Sequence, residues 1–341
     1  MKQKQAWSFH IAAAVLFITG VCSLLVLVLL RSQGAATTST LTIISTPPSV
    51  DTVKLCATTS ASPTSCTHIG TGTGLTLTSG TTSAFQIAGR LSDANGFSDI
   101  VIFRGSFYNT SIGFTACDSS LEAVANVANC YYKDATSGCT LVSMSATAGY
   151  YDCNLAVDYY TTATSADAFV SEQGDATDTW TVRGYAQDTS MLDHTLTALT
   201  EVNSIRAIET NEGNGCSEVS YGSLVNGGST VDSSQIGTDC VLENSGNVDT
   251  DIAEYGTDMT CSFGTVPIAN QRINITSGSY AAMALGGTDL TVSSQSINVD
   301  LDKRNGALKM TDSVFHAITV PATGASGTCA GDNTILAISE L

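Results

Sequence analysis

From Ile11 to Leu30 the chain reads IAAAVLFITGVCSLLVLVLL, without a charged residue. A helix rises about 1.5 Å per residue, so such a run spans a hydrocarbon core of about 30 Å. It sets the compartment in which everything after it must fold. Lys2 and Lys4 precede the run and Arg31 follows it. That bias keeps the start of the chain cytoplasmic and sends the long C-terminal part outward. Residues 1–34 therefore read as a cytoplasmic tip and a transmembrane signal-anchor. The competing reading is a cleaved signal peptide, whose apolar core runs about 7–15 residues before small residues. The segment SQGAA does follow, with cleavage sites after Gly34 or Ala36. The run is longer than such a core, which favours the anchor and a single-pass protein at the cell membrane. Cys22 reads as a small apolar residue within it.

Composition bounds the outer part. Aromatic residues are 7% and charged residues 13% of the chain. Thr, Ser, Gly and Ala dominate, which favours strands and turns over amphipathic helices. The formal net charge is −18, and every Asp and Glu lies beyond residue 50. Phosphate binding needs a basic face, so nucleic acid is excluded as the expected partner.

Ten of the 11 cysteines lie outside the apolar run: Cys56, Cys66, Cys117, Cys130, Cys139, Cys153, Cys216, Cys240, Cys261 and Cys329. An even number without CxxC spacing, and with His68, His194 and His316 scattered, reads as disulfides in an oxidising compartment rather than as zinc sites. Cys56 and Cys66 flank a Ser/Thr/Pro loop and are expected to pair. Cys117, Cys130, Cys139 and Cys153 cluster and are expected to pair among themselves. The last four have open connectivity.

Residues 35–46 read as a polar stalk running into a first strand. Pro47 and Pro48 stop any helix. Alternation predicts strands in SAFQIAGRLSD, DIVIFRGSFY, YYDCNLAVDYY and DTWTVRGYAQD, with DANG as a turn. A short helix is expected between Cys117 and Cys130, where Leu121, Val124, Ala125 and Ala128 share a face. Further strands are expected in VSYGSLV, CVLEN, QRINI, DLTVS, INVDL, FHAITV and TILAI, with SGN at 245–247 as a turn. Many short strands with turns about every ten residues indicate β-sandwiches. The expected organisation is mostly β, disulfide-rich, with one sandwich over residues 47–195 carrying a Cys-rich insert at 117–153, and a second over 196–341.

The span from LSDANGFSDI through WTVRGYAQD resembles immunoglobulin-like sandwich domains of prokaryotic cell-surface proteins. In those, a D-x-NG turn joins two early strands and an aromatic-led strand ending in Asp closes the sheet. CVLENSGNVDTDIAEYGTDMTC is similar to the V-x-N-x-GN strand and turn of surface and matrix β-sandwich proteins. The resemblance implies two Ig-like domains and a surface, adhesive or filament role. The cysteine cluster departs from the simplest such domains.

Candidate chemistry is sparse. Asp93, Asn95, Ser98 and Asp99 lie as D-x-N-G-x-S-D. Oxygen side chains around a glycine turn suit Ca²⁺, with Asp93, Asn95 and Asp99 as ligands. The competing reading is an Asx turn capped by Asp93. Ser190, Asp193 and His194 contain triad residue types, but they are sequence neighbours without a G-x-S-x-G elbow. Asp152 and Asp158 read as solvated strand charges. Asn109 and Asn274 match the N-glycosylation pattern. Neither a Walker loop nor a strand-borne G-x-G-x-x-G occurs, so no cofactor other than Ca²⁺ is expected and the chain does not read as an enzyme. The expected role is a membrane-anchored surface protein with a structural, adhesive or envelope-assembly function. Its partners would be the membrane and other surface proteins or further copies of itself. The alternatives are a calcium-dependent ligand-binding module and, after it, a secreted hydrolase.

Overall fold

Alternation of apolar and polar residues builds the first half. A computed structural model describes residues 45–57, 64–117, 128–164, 178–210, 218–230, 239–304 and 310–340. The expected membrane segment Ile11–Leu30, nearly all of the stalk, and most of the helix expected after Cys117 lie outside the described residues. Among the described residues, no helix is long and apolar enough to cross a membrane.

Eight strands form the first group: β1 (Ser49–Cys56), β2 (Ser83–Ser92), β3 (Ile100–Asn109), β4 (Cys130–Asp134), β5 (Cys139–Ser143), β6 (Ala148–Val157), β7 (Trp180–Asp188) and β8 (Asp193–Thr200). They make two antiparallel sheets, ordered β1-β2-β6-β5 and β4-β3-β7-β8. Inward residues of both sheets meet in one core, including Leu55, Ile87, Leu91, Phe107, Tyr151, Leu155, Trp180 and Val182. Sheet registry depends on mid-strand glycines. Gly105 and Gly184 are direct partners in the β3–β7 ladder. A Cβ on Gly184 would lie 2.3 Å from the Tyr151 hydroxyl, and one on Gly89 would lie 2.5 Å from Tyr151 Cε1. Glycine inside these strands thus leaves room for the buried Tyr151 ring. The first described strand is β1, and the strand expected at the end of the stalk lies almost wholly outside the described residues. The expected closing strand, β7, is not the edge: β8 pairs along it from Gln187 to Trp180. The 195/196 division expected from sequence therefore falls inside a paired strand.

Ten strands follow: β9 (Ile208–Thr210), β10 (Asp239–Asn244), β11 (Thr250–Gly256), β12 (Met259–Val266), β13 (Gln271–Asn274), β14 (Thr288–Asp289), β15 (Gln295–Leu301), β16 (Thr311–Ile318), β17 (Ala325–Ala330) and β18 (Asn333–Ile338). The sheet β14-β13-β16-β10-β9 and the sheet β15-β11-β18 share a second core around Leu242, Ile252, Ile273, Leu290 and Val314. β12 and β17 form a separate ribbon. The strand expected at VSYGSLV does not form. Gly222 there has φ +66°, which breaks extended backbone. Its Tyr221, Val219 and Leu224 pack instead against Val266 and Ile318.

The turn at 245–247 joins the two strand groups. Asn247 is fully buried, and its Nδ2 donates to Thr161 O at 3.0 Å and Asn203 O at 3.1 Å. Its Oδ1 accepts the Ile205 N–H at 2.6 Å.

Four disulfides are present among the described residues: Cys56–Cys66, Cys117–Cys130, Cys139–Cys153 and Cys261–Cys329. Cys240 is also disulfide-bonded. Cys139 and Cys153 face each other across β5 and β6, and Cys261 and Cys329 across β12 and β17. The first three close loops of 10, 13 and 14 residues, and the last spans 68. In the chain-entropy picture a 15-residue loop contributes about 3 kcal/mol and the longer one about 4. Peptide mapping of the unreduced protein is expected to recover these four linked pairs. Alkylation of Cys56 or Cys139 without reductant would refute the assignment.

Candidate metal centre

The site forms where three chain segments meet at one end of the first strand group. β2 ends at Ser92, and Asp93 opens the turn that follows. The Asp93 N–H donates to Thr147 O at 2.8 Å, which ties the turn to the segment entering β6. Its Oδ1 accepts the Asn95 N–H at 2.8 Å, the Asx turn expected from the sequence. Gly96 takes φ +136°, a region that favours glycine. Phe97 is buried and anchors the turn. A Cβ at Gly149 would come within 2.1 Å of its ring, so that neighbour must be glycine for Phe97 to seat. A 3-10 turn, Phe97–Asp99, then delivers Asp99 to the start of β3.

The third segment comes from far along the chain. β3 and β7 are antiparallel partners with Ile100 opposite Asp188. The last residue of β7 therefore lies beside the first of β3. The Thr189 N–H donates to Asp99 O at 3.0 Å, and the Thr189 hydroxyl bonds Asp99 Oδ1.

One carboxylate oxygen from each of Asp93, Asp99 and Asp188 lies within 4.8 Å of the other two. Asp93 is 2% exposed and Asp188 1%. Asp188 Oδ1 accepts the Leu192 N–H at 2.8 Å, and Oδ2 accepts the Ser45 hydroxyl at 3.1 Å. Asp93 Oδ2 is buried and has no hydrogen-bond partner among the described residues. Among the described residues, no Lys, Arg or His forms an ion pair with any of the three. Two of the three carboxylates are buried and Asp99 is half-buried, and since an unpaired buried charge is costly, this spacing makes the cluster a candidate cation site.

The sequence brought Asp93, Asn95 and Asp99 together as ligands. Asn95 turns its amide nitrogen toward the incoming chain, donating to Ser45 Oγ at 2.9 Å and Thr46 O at 3.0 Å. Asp188 was not among the expected ligands. The signal for it was the Asp that closes the Trp strand, but only the β3–β7 pairing carries that Asp to the turn.

The other sequence candidates lie apart. Asp193 and His194 open β8, and His194 Nδ1 accepts the Val50 N–H at 3.0 Å, a contact that ties β8 to β1. Asp152 Oδ1 accepts the Thr140 hydroxyl at 2.7 Å across β5 and β6. Asp158 sits past the end of β6 and accepts the Tyr160 hydroxyl at 3.0 Å. Burial pushes the Tyr160 phenol up to about 12, and the neighbouring Asp158 charge adds to it. Asn109 and Asn274 are both buried, and their Oδ1 atoms cap local turns at Ser111 and Thr276.

Sequence reasoning missed a second polar cluster entirely. Glu254 and His316 are fully buried, with His316 Nε2 at 3.0 Å and 3.1 Å from the two Glu254 oxygens. Asn333 Nδ2 donates to Glu254 Oε1 at 2.9 Å. The Tyr221 hydroxyl donates to Gln271 Oε1 at 2.8 Å, and burial, then the Glu254 charge, pushes that phenol up. Beside Tyr221, a groove of about 840 Å³ opens between the 218–226 segment and the β12–β17 ribbon.

No protein-family model matches the chain, and no curated protein matches it.

Proposed function

We propose that this chain is a membrane-anchored, extracytoplasmic surface protein with a structural or adhesive role, built of two immunoglobulin-like sandwiches. The observation that carries the reading is covalent: four disulfides cross-link strands and loops among the described residues. Disulfides persist in oxidising compartments outside the cytosol. The apolar run at Ile11–Leu30 supplies a hold on the membrane, and the basic residues before it supply the direction. The order β1-β2-β6-β5 facing β4-β3-β7-β8 supports the Ig-like reading. It is the arrangement in which strands A, B, E and D oppose strands C, F and G plus one further edge. The partner belongs to the class of other surface proteins or further copies of this chain. Edge strands such as β8 and β5 offer the hydrogen-bonding rows through which such partners add.

Protease added to intact cells tests the topology. The expected result is loss of the C-terminal part with retention of a small membrane-held N-terminal fragment. Full protection of the chain, or quantitative release of a soluble form starting near Thr37, would overturn the anchored reading. Crosslinking on the same cells is expected to join the protein to an envelope partner or to itself.

A further inference from the structure

We propose that Asp93, Asp99 and Asp188 hold one Ca²⁺ ion that locks the entry of the chain into the first strand group at Ser45 and Thr46. This inference is independent of membrane topology. Two oxygens that share one Ca²⁺ at about 2.4 Å can stand no more than about 4.8 Å apart. The three carboxylates meet that limit pairwise. A second observation points to the same ion. Among the described residues, Asp93 Oδ2 is buried without a hydrogen-bond partner, although Oδ1 of the same group is satisfied by the turn. Buried acceptors in folded proteins are ordinarily paired, and an orphan among converging carboxylates is explained by an ion. Among the described residues no protein cation answers these charges.

The donor set selects the ion. All three ligands are hard carboxylate oxygens, and neither His nor Cys belongs to the cluster, which disfavours zinc. The ligands come from a turn, a 3-10 turn and a strand end, so their geometry is irregular. Ca²⁺ accepts 6–8 oxygens in flexible arrangements, whereas Mg²⁺ demands near-ideal octahedra and keeps most of its water. The Ser45 and Thr189 hydroxyls already bond Asp188 and Asp99.

The consequence reaches the incoming chain. Ser45 Oγ donates to Asp188 Oδ2, and Asn95 Nδ2 donates to Ser45 Oγ and Thr46 O. Neutralising the carboxylates fixes Asp188 and the Asp93–Asp99 turn, and these two elements grip residues 45 and 46. Without the ion, mutual repulsion of the carboxylates opens the same grip.

The test uses the full-length chain in detergent, stripped with EGTA, with CaCl₂ as the only added ligand. Calorimetry is expected to detect Ca²⁺ binding. The melting temperature is expected to rise by about 5 °C at a hundredfold excess over Kd. Asp99→Asn and Asp188→Asn should each abolish that rise, and the control Asp152→Asn, on β6 and outside the cluster, should keep it. Asp93→Asn should melt at or above the wild type in EGTA, because it relieves repulsion, while losing the response to Ca²⁺. Each variant is compared with itself in Ca²⁺ and EGTA, so a general loss of stability does not mimic the result. In EGTA, subtilisin should cut faster near residue 45, and Ca²⁺ should slow that cut in the wild type and in Asp152→Asn but not in the three site variants. An equal melting temperature in Ca²⁺ and EGTA, or a Ca²⁺ response that survives in Asp99→Asn and Asp188→Asn, would overturn the site. An equal response to Mg²⁺ would overturn the assignment to Ca²⁺.

Discussion

Trp180→Ala is expected to destabilise the first strand group by about 3–5 kcal/mol, the cost of emptying a large buried aromatic site. Trp180 is fully buried at the start of β7. Its ring lies 4.3 Å from that of Phe107 at an interplanar angle of 29°, and 6.3 Å from that of Tyr131. Its Nε1–H donates to Thr162 O at 2.9 Å, which pins the stretch that follows β6. Alanine would lose the packing, leave a cavity between the sheets and orphan a buried carbonyl. Trp180→Phe would keep most of the stack and lose the hydrogen bond, with a smaller expected cost of about 1–3 kcal/mol. Urea denaturation followed by far-ultraviolet circular dichroism measures both, since the substitution removes the core tryptophan whose fluorescence would report on this core. A loss below about 1 kcal/mol for the alanine variant would mean that the site collapses freely and that this ring is not central to the core.

The second large effect is expected in the other core. Glu254→Ala should cost about 3–5 kcal/mol, because it breaks a buried hydrogen-bonded pair from one side only and leaves His316 and Asn333 without that acceptor. Glu254 lies on β11, His316 on β16 and Asn333 on β18, so the carboxylate ties both sheets of this group together. Removing it takes away the group toward which the His316 ring and the Asn333 amide point. Replacing Glu254 and His316 together with Leu and Phe should be far less harmful than either single loss, since a well-packed apolar pair is often as stable as a buried ionic one. Denaturation midpoints of the two single variants and the double variant form a cycle that isolates the pair. Additive losses would show that Glu254 and His316 act independently, against the reading of a coupled buried pair.

Local patterns decided much of this molecule. The strands β2, β3, β6 and β7 follow from period-two alternation, because each lays one face on a shared core. The pairing of Cys56 with Cys66 was legible because those residues flank one short loop, and the four cysteines of the insert do pair among themselves. The turn at 93–96 was legible from Asp, Asn and Gly alone. Other elements left no such trace. β11 is buried along nearly its whole length, yet it reads TDIAEYG, because its Asp251 and Glu254 are held inside by hydrogen bonds rather than by hydrophobicity. β12 is largely exposed and is secured by its ladder and disulfide to β17, so it lacks an alternating apolar signature. VSYGSLV has the composition of a strand, but a left-handed glycine and a side-on packing role exclude it from any ladder.

The sequence by itself determined that the chain is β-rich and cross-linked, that it is acidic beyond residue 50, and that oxygen-bearing side chains crowd the turn after β2. Only the tertiary structure decided which of those oxygens form a centre. Asp99 and Asp188 meet because β3 and β7 pair antiparallel with Ile100 opposite Asp188, a register set by core packing across the whole sheet. The burial of Glu254 against His316, and of Asn247 between the two strand groups, has the same origin. Strand pairing is non-local: alternation tells which face of a strand is buried, and the assembled sheet alone tells what lies opposite.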